Sequence, residues 1–139
     1  MNNQFEQISL KPGFMKHNGG IMFKAISENE YQFKTTITEN HLNAAGITHG
    51  GFIAAFVDAG AGTAAHRSAS NSPCVTISLE LKFISAIKLG QELVGNTKIQ
   101  KKTKTMVFLT SELVVGNRIV ATASGVWKIL KLTGAGPGG

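Results

Sequence analysis

The chain has 139 residues, and its 14 Lys+Arg against 8 Asp+Glu give a formal charge of +6. With 42% hydrophobic and 16% charged residues it is not a disordered charged tail. One cysteine excludes an internal disulfide framework and a cysteine-based zinc ribbon. His17, His41, His49 and His66 show no metal-ligand spacing, so no metal is expected. No apolar run is long enough for a membrane span, and the N-terminus lacks the pattern of a signal peptide. The expectation is a soluble, cytoplasmic protein. The charge is uneven: residues 1–70 carry five basic and five acidic groups, and residues 71–139 carry nine and three. Lys98, Lys101, Lys102 and Lys104 crowd into one short stretch. Such a basic half suits an anionic partner, whether nucleic acid, an anionic membrane surface or a phosphorylated small molecule.

In chain order, residues 1–19 suggest a short helix or an irregular arm. Residues 21–27 and 31–38 are rich in β-branched and aromatic types and predict two strands, with Glu28-Asn29-Glu30 as the turn. A loop follows over 40–49. From Phe52 to Ser70 the chain is Ala-rich, lacks proline and is too long for an ordinary strand, which predicts a helix. Its apolar residues fall on every face, so the helix is expected to be buried. Gly60 and Gly62 within it point to close packing against a sheet. After Pro73 the period changes to two. Thr76, Ser78, Glu80 and Lys82 alternate with Ile77, Leu79, Leu81 and Phe83, as in a half-buried strand. Further strands are expected near 91–101, 106–115 and 119–130, with Gly116-Asn117 as a tight hairpin turn. The Gly-rich tail 134–139 is linker-like and expected to be disordered. The order β-β-α-β-β-β-β predicts an α+β fold, one helix against a largely antiparallel sheet. A helix apolar on all faces needs more cover than one sheet, so a curling sheet and a second subunit are expected.

Between Asn40 and His66 the only formal charge is Asp58, in mid-helix. Its helical neighbours are Ala54, Ala55, Ala61 and Gly62, so no basic group of its own helix can pair with it. Burial would push its pKa toward the range of a general base; a carboxylate at a cleft rim is the structural alternative. His49-Gly50-Gly51 precedes the helix. Glycines there let an oxygen approach the unpaired N–H groups and positive dipole end of the first turn, a place that can stabilise an oxyanion. Alone, His49 suits a cap and Asn43 a turn. Cys74 fits a buried, inert thiol, and Trp127 fits core or interface packing. Phe52, Phe56 and Phe83 suit a pocket wall or the core equally.

The run Asn43-x-x-Gly46-x-x-His49-Gly50-Gly51-x₆-Asp58 resembles the signature of the hotdog-fold acyl-CoA thioesterases, in particular their phenylacetate-pathway branch. The similarity covers about residues 40–130. It implies one hotdog thioesterase domain over 1–133, an antiparallel sheet wrapped around one long central helix. It implies that Asp58 is the catalytic acid, as general base or nucleophile, and that the Gly50 N–H polarises the thioester carbonyl. Asn43 would lie near the acid, His49 would support the loop and touch the thioester, and Thr76 would help hold the water. Substrate contacts would come from Gly51, Phe83, Lys82, Lys101, Lys102 and Lys104. Phe83-Ile84-Ser85-Ala86 lacks the basic residue and proline many members carry there, which is why Lys82, Lys88, Lys101, Lys102 and Lys104 are the candidates for the phosphates, each with an ordinary solvated surface charge as its alternative. Coenzyme A is part of the substrate, and no cofactor is implied. The site would form across a dimer, with dimers pairing into tetramers. A non-catalytic acyl-CoA-binding module is the alternative. Nucleic-acid binding through Lys98–Lys104 is disfavoured because no aromatics are interleaved there. A dehydratase fits the His-Gly-Gly to acid spacing less well than a hydrolase.

Overall fold

The computed structural model describes residues 4–131, so the Gly-rich tail lies outside the described residues. A two-residue strand β1 (Glu6–Gln7) and a single helical turn α1 (Phe14–His17) form the N-terminal arm. Strands β2 (Met22–Ala25) and β3 (Glu30–Thr36) follow as a hairpin. A 3-10 turn (Glu39–His41) and a loop lead into α2 (Gly50–Ser68). Then come β4 (Cys74–Phe83), β5 (Glu92–Lys102), β6 (Met106–Val115) and β7 (Arg118–Ile129). The predicted helix and six strands are therefore present, with β1 added. Two residues are too few for a periodic signal.

All seven strands form one antiparallel sheet in the order β1-β2-β3-β5-β6-β7-β4. From mid-sheet β3 the chain crosses through α2 to the far edge, β4, before returning to β5. The sheet curves around α2, which is the hotdog arrangement.

The helix buries one face: Phe52, Ile53, Phe56, Val57, Gly60, Ala61, Ala64 and Ala65. These meet Phe33, Leu93, Leu109, Leu113 and Trp127 in one core. The glycines set the spacing. A Cβ on Gly60 would fall 2.2 Å from the Phe33 ring, and one on Gly95 of β5 would fall 2.4 Å from it. Phe33 is thus seated between a helix glycine and a sheet glycine. Trp127 is seated likewise, against Gly62 (3.2 Å) and Gly125 (2.5 Å). Gly60 and Gly62 do mark close packing, as their place in an Ala-rich helix suggests.

Two expectations need correction. The other face of α2, with Ala54, Ala55, Asp58, Ala59, Gly62 and Thr63, is not fully covered. The sheet reaches only one side of the helix, so Asp58 is exposed in the chain and not buried. Strand β4 is also less buried than its alternation suggests, because it is an edge strand with no neighbour on one side. Leu79 and Leu81 are half-buried, whereas Ile77 is 53% and Phe83 57% exposed.

Filling the Phe33 seat tests the spacing: Gly60→Ala should lose about 1–3 kcal/mol by overpacking, read as a lower denaturation midpoint. An unchanged midpoint would mean that Phe33 moves aside freely.

Candidate active site

The site has two halves, one at the start of α2 and one at its middle. At the start, His49 is the N-cap, and its Nδ1 accepts the Gly51 N–H at 2.8 Å. An amide can only donate, so in the neutral ring the proton sits on Nε2. The cap takes the Gly51 donor and leaves the neighbouring one: among the described residues the Gly50 N–H meets no acceptor. Gly50 therefore presents a free donor at the positive end of a 19-residue helix. Phe83 lies beside it, with its ring 3.5 Å from where a Gly50 Cβ would stand.

The approach to that turn is pinned from several sides. The Asn43 Oδ1 accepts the N–H groups of Ala45 (2.9 Å) and Ile47 (3.3 Å), an Asx-type turn. Thr48 donates both its N–H and its hydroxyl to the Ile87 carbonyl, at 2.8 and 2.7 Å. Arg118 reaches across to Ser85 and to the Ala86 carbonyl, bracing the same segment.

In mid-helix, Asp58 accepts the Thr76 hydroxyl proton at 2.6 Å. Strict alternation along β4 places Thr76 on the face with Ser78, Glu80 and Lys82. The register instead shifts between Thr76 and Ser78. Cys74 and Thr76 then face the helix ahead of the bulge, and Leu79, Leu81 and Phe83 face it afterwards. The bulge re-aims one hydroxyl at the carboxylate, which a pattern of two alone does not show. Asp58 and Thr76 open onto a groove of about 580 Å³, shared with Ala59, Gly62, Thr63, His66, Cys74 and Trp127. His66 is not among the residues the sequence singles out; one ionisable residue in an Ala-rich helix end carries no signal by itself.

Within the chain these two halves do not meet. Eight helical residues separate Gly50 from Asp58, or about 12 Å along the axis. The Asn43 amide oxygen is likewise committed to its own loop. Gly51 has its N–H capped. Lys82 lies on the outer sheet face and pairs with Glu80 at 2.8 Å, a hydrogen bond that holds the Glu80 carboxyl below its usual range. Lys101, Lys102 and Lys104 gather at the exposed β5–β6 turn, where Lys102 donates to the Ser68 carbonyl at 2.5 Å. Among the described residues no group of three or more His, Cys, Asp or Glu is placed to hold a metal. Among them, too, no helix is long and apolar enough to cross a membrane.

Residues 45–122 match the family model of the thioesterase superfamily, and the chain belongs to that family. A Pseudomonas aeruginosa protein named as an esterase is 36% identical over 94 residues, 67% of this chain and 70% of its own. Mouse acyl-coenzyme A thioesterase 13 is 26% identical over 102 residues, 73% of each chain. The crystal structure of a Streptococcus mutans protein bound to acetyl CoA superposes with a TM-score of 0.76 at 17% identity. It covers 88% of this chain and 94% of that one.

Cys74 is half-buried, its thiol donates to the Ser72 carbonyl at 3.4 Å, and burial pushes its pKa up. It should therefore carry little thiolate at about pH 8 and react with iodoacetamide more slowly than an unstructured cysteine peptide. A rate equal to the peptide's would contradict an inert thiol.

Proposed function

We propose that the protein hydrolyses acyl-coenzyme A thioesters to a free acid and coenzyme A. The observation that carries this reading is the pairing of a Thr76-held Asp58 carboxylate with an unengaged Gly50 N–H. Both sit on one helix, next to the face its own sheet leaves open. The family and the named activity of its mouse relative support the same conclusion, and the acetyl CoA held by the Streptococcus mutans neighbour supports the substrate class.

In this reading Thr76 occupies one carboxylate oxygen of Asp58 and leaves the other to act. As general base it takes a proton from water, whose oxygen attacks the thioester carbon; as nucleophile it attacks that carbon itself. Either route builds negative charge on the carbonyl oxygen, which the Gly50 N–H and the helix dipole stabilise. The C–S bond then breaks and the coenzyme A thiolate leaves and is protonated; on the nucleophilic route water next hydrolyses the Asp58 acyl anhydride, which releases the acid and restores the carboxylate. Asn43 and His49 hold the loop and face the thioester, His49 through its Nε2–H. Gly51 and Phe83 border the acyl group. Lys101, Lys102 and Lys104 hold the phosphates, and Lys82 joins them only by releasing Glu80. The whole forms a single thioesterase domain over residues 1–133, working in the cytoplasm, with coenzyme A as part of the substrate and no further cofactor.

The separation of about 12 Å along α2 supports a site whose two halves come from two chains. The open helix face and the unpaired β4 edge, with Val75, Ile77 and Phe83 exposed, favour a homodimer. A two-fold axis there would set Gly50 of one chain against Asp58 of the other, and dimers would pair into tetramers.

Two variants and their mixture test this. Asp58→Asn should lower kcat by orders of magnitude and keep the fold. Gly50→Pro removes one N–H at the first helical position, where proline is well tolerated. His49 is already extended (φ −65°, ψ 131°), as a residue before proline needs to be. It should cost about 10²–10³-fold in kcat, as loss of an oxyanion donor does. Mixed dimers of the two variants should regain activity, because one of their two sites is intact. Near-normal turnover by Asp58→Asn would sink the assignment, and no rescue on mixing would place the site within one chain. Binding of acyl-CoA by the wild type without thiol release would instead identify a non-catalytic acyl-CoA-binding module. Rising salt should raise KM for acyl-CoA where lysines hold its phosphates; a flat response removes them from that role.

A further inference from the structure

A buried histidine lies directly under the catalytic turn and takes no part in the chemistry described above. His41 is 2% exposed. Its ring stacks on Phe52, with centroids 3.8 Å apart and planes at 17°. Phe52 is the third residue of α2, within the same turn as Gly50. The His41 Nδ1 accepts the Thr38 backbone N–H at 3.0 Å, with the Thr38 hydroxyl 3.4 Å away. Nε2 stands 2.6 Å from the Asn18 carbonyl oxygen. The amide can only donate and the carbonyl can only accept, so the ring proton sits on Nε2 and points at Asn18. The His41 carbonyl in turn accepts the His49 N–H at 2.8 Å.

One side chain thus ties the N-terminal arm, the end of β3 and the first turn of α2 together, and its main chain holds the N-cap residue. Few side chains could do this. The place demands a flat face against Phe52, an acceptor on one edge and a donor on the other. A phenyl ring would supply the face and leave both buried polar groups unpaired. A glutamine would supply the polar edges and lose the stack.

We propose that His41 is a positioning residue for the oxyanion turn, fixing the Gly50 N–H through Phe52 and His49. The inference rests on Gly50 being the oxyanion donor proposed above. A donor of that kind acts only where the developing charge appears, and a displacement near 1 Å costs about 10²-fold in rate. His41 is buried beneath the turn, so its loss should change kcat and leave substrate affinity in place.

The experiment compares His41→Phe, His41→Gln and Phe52→Leu with the wild type, by steady-state kinetics on acyl-CoA and by the backbone amide NMR signals of Gly50 and Gly51. His41→Phe should melt cooperatively, lose about tenfold or more in kcat with KM held within about twofold, and shift the Gly50 amide. His41→Gln keeps an acceptor for Thr38 but loses the stack on Phe52, so it should lower kcat as well. Wild-type kcat in a folded His41→Phe overturns the proposal, and so does a fall in kcat with the Gly50 amide unmoved. Should His41→Phe not fold, Phe52→Leu decides: lower kcat at constant KM supports positioning through the stack, and unchanged kcat overturns it. A wild-type protein that cleaves no acyl-CoA would fault the functional reading alone. The role of His41 would then be judged by the amides, and Gly50 and Gly51 signals unmoved in every folded variant would overturn it.

Discussion

The seating of Phe33 and Trp127 against glycines on both sides sets the distance between helix and sheet, and the rest of the structure follows from that distance. Each ring lies between a glycine of α2 and a glycine of a strand, where a single methyl would collide or crowd. The aromatics bury their faces and the helix comes closer to the sheet than larger side chains would permit. In a core packed to crystal-like density such spacings are not adjustable one at a time. Trp127 is also the register partner of Thr76. The seat that brings Gly62 onto Trp127 therefore brings the preceding helical turn, with Asp58, within hydrogen-bond reach of β4. The Asp58–Thr76 contact is a consequence of core packing as much as of surface chemistry.

Much of this is legible in the chain, for reasons that differ by residue. The helix and the strands β2 to β7 announce themselves by changes of period, and turn residues mark their limits. Asp58 stands out because every helical neighbour is small and uncharged. The glycines of α2 are costly in a helix interior, so their presence there already signals close packing. Thr76 is legible only through the family resemblance. Alternation assigns it to the outer face, and a bulge is a one-residue irregularity that periodicity cannot register. The exposure of Asp58 escapes the sequence for a related reason: the apolar pattern says that a helix face wants cover, but not whether its own sheet or another chain supplies it. His41 carries no mark of its role among four histidines. Its importance lies in contacts with Asn18 and Phe52, which are distant in sequence and invisible to any local pattern.

The same uncovered surfaces bear on where the proposed catalytic groups sit. A β4 edge with exposed apolar side chains and an α2 face of alanine and glycine would be liabilities in an isolated chain. Small residues on that face allow a second helix to approach closely, and the edge offers a strand to pair with. Asp58 is the one charged residue set into this face. The carboxylate is exposed in the single chain, and in the dimer proposed above it would lose water when a partner closes over it. Coupling of this kind would keep the acid inactive until the site that needs it is complete.

Placing both catalytic halves on one helix then becomes a solution and not a paradox. The oxyanion donor proposed here lies at a helix N-terminus, where free N–H groups and the dipole converge. A carboxylate in that same first turn would be drawn to those N–H groups and would cap them, as acidic residues at helix starts do. Acid and donor would neutralise one another. Moving the acid eight residues along removes it from its own helix end, and the two-fold axis proposed above would return it to the end of another. His49 capping Gly51 and leaving Gly50 free is the local half of that arrangement, and Thr76 holding one oxygen of Asp58 is the other. Each leaves one reactive atom free within its own chain, the Gly50 N–H and the second Asp58 oxygen, and in the proposed dimer substrate and water would engage them.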